Sequence, residues 1–129
     1  MIASKIDLLK NISQFEYQND FFDLHNDYDF TGFTLDSNKV LTFNFKHFQG
    51  TRVVGLSFQN VILTKISFLN SEVNEDDRTI DNIYRGRYEM DGALIELDSS
   101  GRGYFYLELY SGKSFEFWTD ELIYVNSEK

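Results

Sequence analysis

From residue 30 to residue 126, apolar and polar side chains alternate in short runs broken by Gly, Asn and Asp. Alternation of period two sends successive side chains to opposite faces of a strand. The pattern predicts strands at 31–35, 40–46, 52–58 and 61–68 in the first half. In the second half it predicts strands at 83–90, 93–98, 103–110, 114–119 and 122–126.

Parity tests the turns between these runs. A two-residue Asp91-Gly92 turn sets Met90 opposite Ala93 and Tyr88 opposite Ile95, as a type I′ hairpin requires. A Gln49-Gly50 turn sets Phe45 against Val54, Phe43 against Leu56 and Leu41 against Phe58. At Ser111-Gly112 a two-residue turn would place Leu109 opposite Ser114 and mix the faces. A three- or five-residue loop, with a glycine in the left-handed region, instead pairs Leu109 with Phe115 and Leu107 with Phe117.

Residues 3–16 carry a different period. Ile6, Leu9, Ile12 and Phe15 recur at helical spacing, and Ser4 followed by Asp7 resembles a capping box. An N-terminal helix is expected there. Residues 23–29 then read as a polar loop.

The two β blocks align with each other. Gly32 and Val40-Leu-Thr-Phe43 match Gly86 and Leu94-Ile-Glu-Leu97 at an offset of 54. Phe58–Leu63 matches Trp118–Ile123 at an offset of 60. The expected fold is mainly β, with only the one helix: an antiparallel β-sandwich or open barrel made of two similar four-stranded units. These units span residues 30–68 and 83–126, joined by an acidic connector at 70–81, in one domain covering 1–129.

Composition sharpens this picture. Thirteen Phe, eight Tyr and one Trp suit pleated surfaces, and 129 residues can bury a core without metals or cross-links. Cysteine is absent, which excludes disulfides, thiolate metal sites and a cysteine nucleophile. No stretch reads as a leader or a membrane span, so a cytoplasmic protein is expected. Twelve basic residues against 21 acids give a net charge of −9. Nucleic-acid binding relies on cationic side chains at phosphates, so a protein partner, particularly a basic one, fits better.

Local motifs for chemistry are weak. Asp27-x-Asp29-x-Thr31-Gly32 copies the start of a calcium loop, but Asn38 stands where a bidentate Glu belongs. His25 and His47 are the only histidines, and neither has a nucleophile in a recognisable motif. Gly101-Arg-Gly103 lacks the P-loop spacing and reads as a turn. No catalytic residue, metal site or cofactor is assigned.

Two surfaces remain as candidates. The outward face of the second unit gathers Arg85, Arg87, Glu89, Glu96, Tyr104, Tyr106, Glu108, Tyr110, Glu116 and Trp118. Tyr, Trp and Arg provide large, rigid contact area with a polar handle, which is why interfaces are enriched in them. The register above also places Glu108 nearly opposite Glu116, a like-charge pair that Arg85, Arg87 or a basic partner would relieve. The acidic connector supplies Glu72, Glu75, Asp76 and Asp77 as residues to steer such a partner.

Phe22-Asp-Leu-His25, Leu41-Thr-Phe-Asn-Phe45, Val54-Gly-Leu-Ser-Phe-Gln-Asn-Val61, Phe115-Glu-Phe-Trp118 and Leu122-Ile-Tyr-Val125 follow one another in an order of strands. That order resembles the small β-rich immunity proteins of bacterial polymorphic toxin systems. The resemblance implies a non-catalytic cytoplasmic protein that binds and masks a toxin domain, and it implies no particular site residue. The alternative expectation is a β-barrel carrier or sensor whose aromatic interior holds a small apolar ligand.

Overall fold

The computed structural model describes residues 2–5, 14–17, 20–67, 75–85, 87–96, 98–99 and 102–127. In chain order the first strands are β1 (Ile2–Lys5), β2 (Gln14–Tyr17), β3 (Asp20–Asp23), β4 (Tyr28–Leu35), β5 (Leu41–His47), β6 (Val53–Gln59) and β7 (Ile62–Ile66). A single 3₁₀ turn, Glu75–Asp77, precedes β8 (Ile80–Arg85), β9 (Arg87–Met90), β10 (Ala93–Glu96) and β11 (Asp98–Ser99). The chain closes with β12 (Arg102–Leu109), β13 (Ser114–Thr119) and β14 (Glu121–Ser127).

The fold is mainly β, and its strands pair antiparallel. One five-stranded sheet has the order β1-β14-β6-β5-β4; the other has β11-β12-β13-β7, with β8 also on β12. The sheets face each other across a phenylalanine-rich core. Phe33 and Phe43 of the first sheet meet Phe115 of the second at 4.8 and 4.9 Å between ring centroids. Phe58 packs on Phe117 at 4.8 Å and on Phe105 at 5.9 Å. Strand parity supplies these rings: Leu41, Phe43 and Phe45 point inward from β5, and Phe105, Leu107 and Leu109 from β12. The architecture is an open sandwich rather than a closed barrel.

The sheets do not coincide with the two halves of the sequence. β7 leaves the first half to pair with β13, and β14 leaves the second half to pair with β6. Gln59 faces Glu121 and Ile62 faces Trp118, so a single register continues through the bend. The segments offset by 60 residues therefore run antiparallel through one corner. Asn60, with φ of 53°, supplies the turn in the backbone there.

Three expectations need correction. The N-terminal helix is not seen in the described parts of 3–16: Ile2–Lys5 pairs with β14 and Gln14–Tyr17 with β3. Residues 6–13 lie outside the described residues. Pairing with a ready-made strand edge outweighs a helical period only four apolar residues long. Second, the loop after β12 has the expected odd length and its Gly112 is left-handed, φ 93°. The register, however, is shifted by two, so Leu107 pairs with Phe115 and Phe105 with Phe117. Leu109 N donates to Lys113 O at 2.9 Å and Gly112 N to Leu109 O at 2.9 Å, leaving Tyr110-Ser111-Gly112 as the loop. Third, this shift sets Glu108 opposite Ser114 and Glu116 opposite Tyr106, so the two glutamates are not opposed.

The other two turns hold their expected register, Met90 with Ala93 and Phe45 with Val54. Asp91 and Gly92 both have positive φ, 52° and 79°, as the primed turn demands.

Candidate functional site

With Phe105, Leu107, Phe115 and Phe117 buried, alternation leaves Tyr104, Tyr106 and Glu108 of β12 and Glu116 and Trp118 of β13 on the outer face. Tyr104 stands opposite Trp118 and Tyr106 opposite Glu116. The Tyr104 ring lies 5.1 Å from Tyr106 and 4.8 Å from Trp118, at 76° and 66°, an edge-to-face series. All three rings are half-buried and Glu108 is exposed.

The face also draws residues from β7 that sequence patterning missed. A bulge between the pairs Glu116–Lys65 and Phe117–Leu63 inserts Thr64. Thr64 Oγ1 donates to Glu116 O at 3.0 Å and lies 2.7 Å from the Tyr104 hydroxyl. Tyr104 OH also donates to Glu116 Oε1 at 3.0 Å, and Lys65 Nζ sits 3.5 Å from Glu116 Oε2. Burial raises the Tyr104 pKa above the ordinary 10.0; the Thr64 bond opposes this, while Glu116 and Tyr106 add to it. β7 is the edge of its sheet, and its bulge and lysine are devices that discourage strand-to-strand pairing with another chain. Nothing near Thr64 or Lys65 in the chain signals this role, because β7 meets β13 about fifty residues away.

Tyr110 stands apart from the other tyrosines. It occupies the tip of the β12–β13 loop and is 75% exposed. Its N–H donates to Thr79 O at 2.8 Å, so the loop is anchored to the strap before β8.

For Arg85 and Arg87 the structure describes the backbone pairing alone. Tyr84 pairs with Tyr106, Arg85 pairs with the core position Phe105, and Arg87 pairs with Glu96 in the separate β9–β10 hairpin. Their side chains, with those of Glu89 and Glu96, lie outside the described residues.

The acidic connector behaves differently from the expectation. Glu75 is exposed, but Asp77 is fully buried and its Oδ2 accepts from Lys113 Nζ at 2.9 Å. Asp77 is thus an internal tie rather than a steering residue, because the fold brings a lysine 36 residues later onto it. Glu72 and the Asp76 side chain lie outside the described residues. Arg78 O accepts from Phe30 N at 2.6 Å, so the same strap joins the two sheets.

His47 serves a turn, whereas His25 ties its loop to the start of β8. His47 Nδ1 accepts from Gln49 N at 3.1 Å, with its ring edge-on to Tyr28 at 5.1 Å. His25 Nδ1 donates to Ile80 O at 2.5 Å. Just before the segment that copies a calcium loop, Asp23 carboxylate oxygens accept from Asn26 N and Nδ2 at 3.1 and 2.8 Å, closing a tight turn. An open groove of about 430 Å³ lies beside β4, lined by Asp29, Phe30, Thr31, Lys46 and Arg78. Among the described residues no group of three or more His, Asp or Glu could hold a metal ion. No described helix is long and apolar enough to cross a membrane.

No family model, curated protein or solved structure matches this chain.

Proposed function

We propose that the protein is a non-enzymatic cytoplasmic binding module that neutralises a bacterial toxin by gripping it directly. The observation that carries this reading is the outer face of β12 and β13. Tyr104, Tyr106 and Trp118 form an ordered aromatic series there, flanked by Glu108 and Glu116, in a chain of net charge −9. Rigid aromatics, with the Tyr104 hydroxyl held by Thr64 and Glu116, supply contact area at low entropic cost. The surrounding carboxylates favour a basic partner and speed its approach.

The carrier reading is less well supported. Its ligand would need an apolar enclosure, whereas the space between the sheets is occupied by Phe43, Phe58, Phe115 and Phe117. The open groove beside β4 is lined by Asp29, Lys46 and Arg78.

The first test asks whether a toxin-like reading frame neighbours the gene, and its absence counts against the reading; where one is found, its purified product is mixed with the chain. A one-to-one complex by light scattering, with toxin activity lost in proportion, supports the reading. Absence of a complex, with toxin activity untouched, overturns it.

A further inference from the structure

Glu116 and Trp118 stand two residues apart on the outer side of β13; Tyr104 OH occupies Glu116 Oε1 at 3.0 Å, which leaves Oε2 as the oxygen that faces a cation. Trp118 is braced by Tyr104 at 4.8 Å, and Glu116 holds the ammonium of Lys65 at 3.5 Å. We propose that this spot receives an arginine side chain of the basic partner. Its guanidinium lies against the Trp118 ring and pairs with Glu116 in place of Lys65. The inference rests on the protein-binding reading and names the chemistry that the face selects.

Three observations lead to arginine. Trp is the best aromatic acceptor for a cation, and this one is held at a fixed angle while remaining partly open to solvent. The Lys65–Glu116 pair marks a place where a cation is already stable. Lys65 is nevertheless 58% exposed, and such surface pairs are worth only about 0–1 kcal/mol, so the ammonium is replaceable. A guanidinium is less strongly hydrated, stacks on aromatic faces and presents a planar fork to a carboxylate, which an ammonium cannot do.

The surroundings agree. Ile62, opposite Trp118 and 45% exposed, offers an apolar wall for the methylenes of the arginine stem. Asp120 is exposed two residues beyond Trp118 and adds negative potential. Arg102, the cation at the start of β12, is engaged elsewhere: its Nε donates to Asn60 O at 2.9 Å.

Trp118 is the only tryptophan beside eight tyrosines, so emission excited at the red edge, where tyrosine does not absorb, reads this spot alone. The probes are the peptide acetyl-Gly-Arg-Gly-Arg-Gly-amide and its lysine and citrulline counterparts. A saturable change in Trp118 emission is expected with the arginine peptide. The lysine peptide should bind about threefold more weakly, and the neutral citrulline peptide should leave the emission unchanged. Glu116→Gln should weaken the arginine peptide about tenfold. Lys65→Gln should tighten it about two- to threefold by removing the competitor.

Equal titrations by the arginine and citrulline peptides, or weaker binding by Lys65→Gln, would overturn the proposal. If the arginine peptide fails while the whole partner still needs Trp118, only the arginine seat is wrong. If the partner also binds without regard to Trp118, the binding-face reading falls with it.

Discussion

Asn60 and Asp120 stand opposite each other at the corner where two paired strands leave one sheet for the other, and Asn60 Nδ2 donates to Asp120 Oδ2 at 3.0 Å. Beside them, buried Thr119 donates its hydroxyl to Gln59 O at 2.6 Å. The corner fixes the angle between the core sheet β4-β5-β6 and the sheet that carries Tyr104 and Trp118. Asn60 also has φ of 53°, a conformation that asparagine and glycine tolerate and branched residues do not. Asn60→Val should therefore cost about 1–3 kcal/mol, whereas Asn60→Gly should cost less than about 1 kcal/mol. Urea unfolding of the two variants checks this difference.

Gly55 lies in the middle of β6, between Asn44 of β5 and Val125 of β14. A Cβ there would stand 3.6 Å from Asn44 Oδ1 and Val125 Cβ and 3.7 Å from Thr42 Cγ2, all ordinary contact distances. Glycine in a strand interior loses more backbone freedom on folding than alanine. Gly55→Ala should consequently stabilise the protein by about 0.5 kcal/mol. A loss of stability on thermal unfolding would show that the sheet is tighter here than these distances indicate.

The buried Asp77–Lys113 pair ties the strap before β8 to the loop that presents Tyr110. Removing one partner leaves a charge in a dry setting. Lys113 is one-third exposed, so Lys113→Met should cost about 2–4 kcal/mol rather than the full amount for a wholly buried pair. Amide exchange adds a local signature. The Tyr110 N–H, bonded to Thr79 O, should exchange faster in the variant while the Phe43 and Phe58 amides keep their relative protection.

Alkaline titration examines the Tyr104 network. Burial, Glu116 and Tyr106 raise its pKa above 10.0, and only the Thr64 bond pulls it down. Glu116→Gln should then lower the value, and Thr64→Val should raise it, as read from phenolate absorbance against a Tyr104→Phe blank. The folded state holds this proton more tightly than the unfolded state. Its contribution to stability is therefore intact below pH 10.0 and is lost as pH rises through the folded pKa.

Much of this fold was legible from alternation alone. Met90 facing Ala93 and Phe43 facing Leu56 follow from parity and a glycine turn, both local facts. The loop at Tyr110-Ser111-Gly112 shows the limit: parity gave its odd length, but an offset of two keeps every side chain on the same face and so leaves no trace in the pattern. Ile6, Leu9 and Ile12 suggested a helix because a short apolar stripe cannot reveal that β14 has an edge to fill at Ile2–Lys5. The site was partly legible for the same reason. Tyr104, Tyr106, Glu116 and Trp118 share an outer face by parity. Lys65, Thr64 and the burial of Asp77 depend on pairings between distant parts of the chain, which no local period encodes.

The central claim is that the face carrying Tyr104, Tyr106 and Trp118, together with Tyr110 at the adjoining loop tip, binds a protein partner without supporting the core. Calorimetric titration of the variant carrying Tyr106→Ser, Tyr110→Ser and Trp118→Ser against a protein partner captured by the parent chain tests it most directly. The expected result is a folded variant with the circular dichroism of the parent and affinity lowered by about a hundredfold or more. Unchanged affinity, or a variant that no longer folds, would contradict the claim and assign these aromatics to the structure of the sandwich itself.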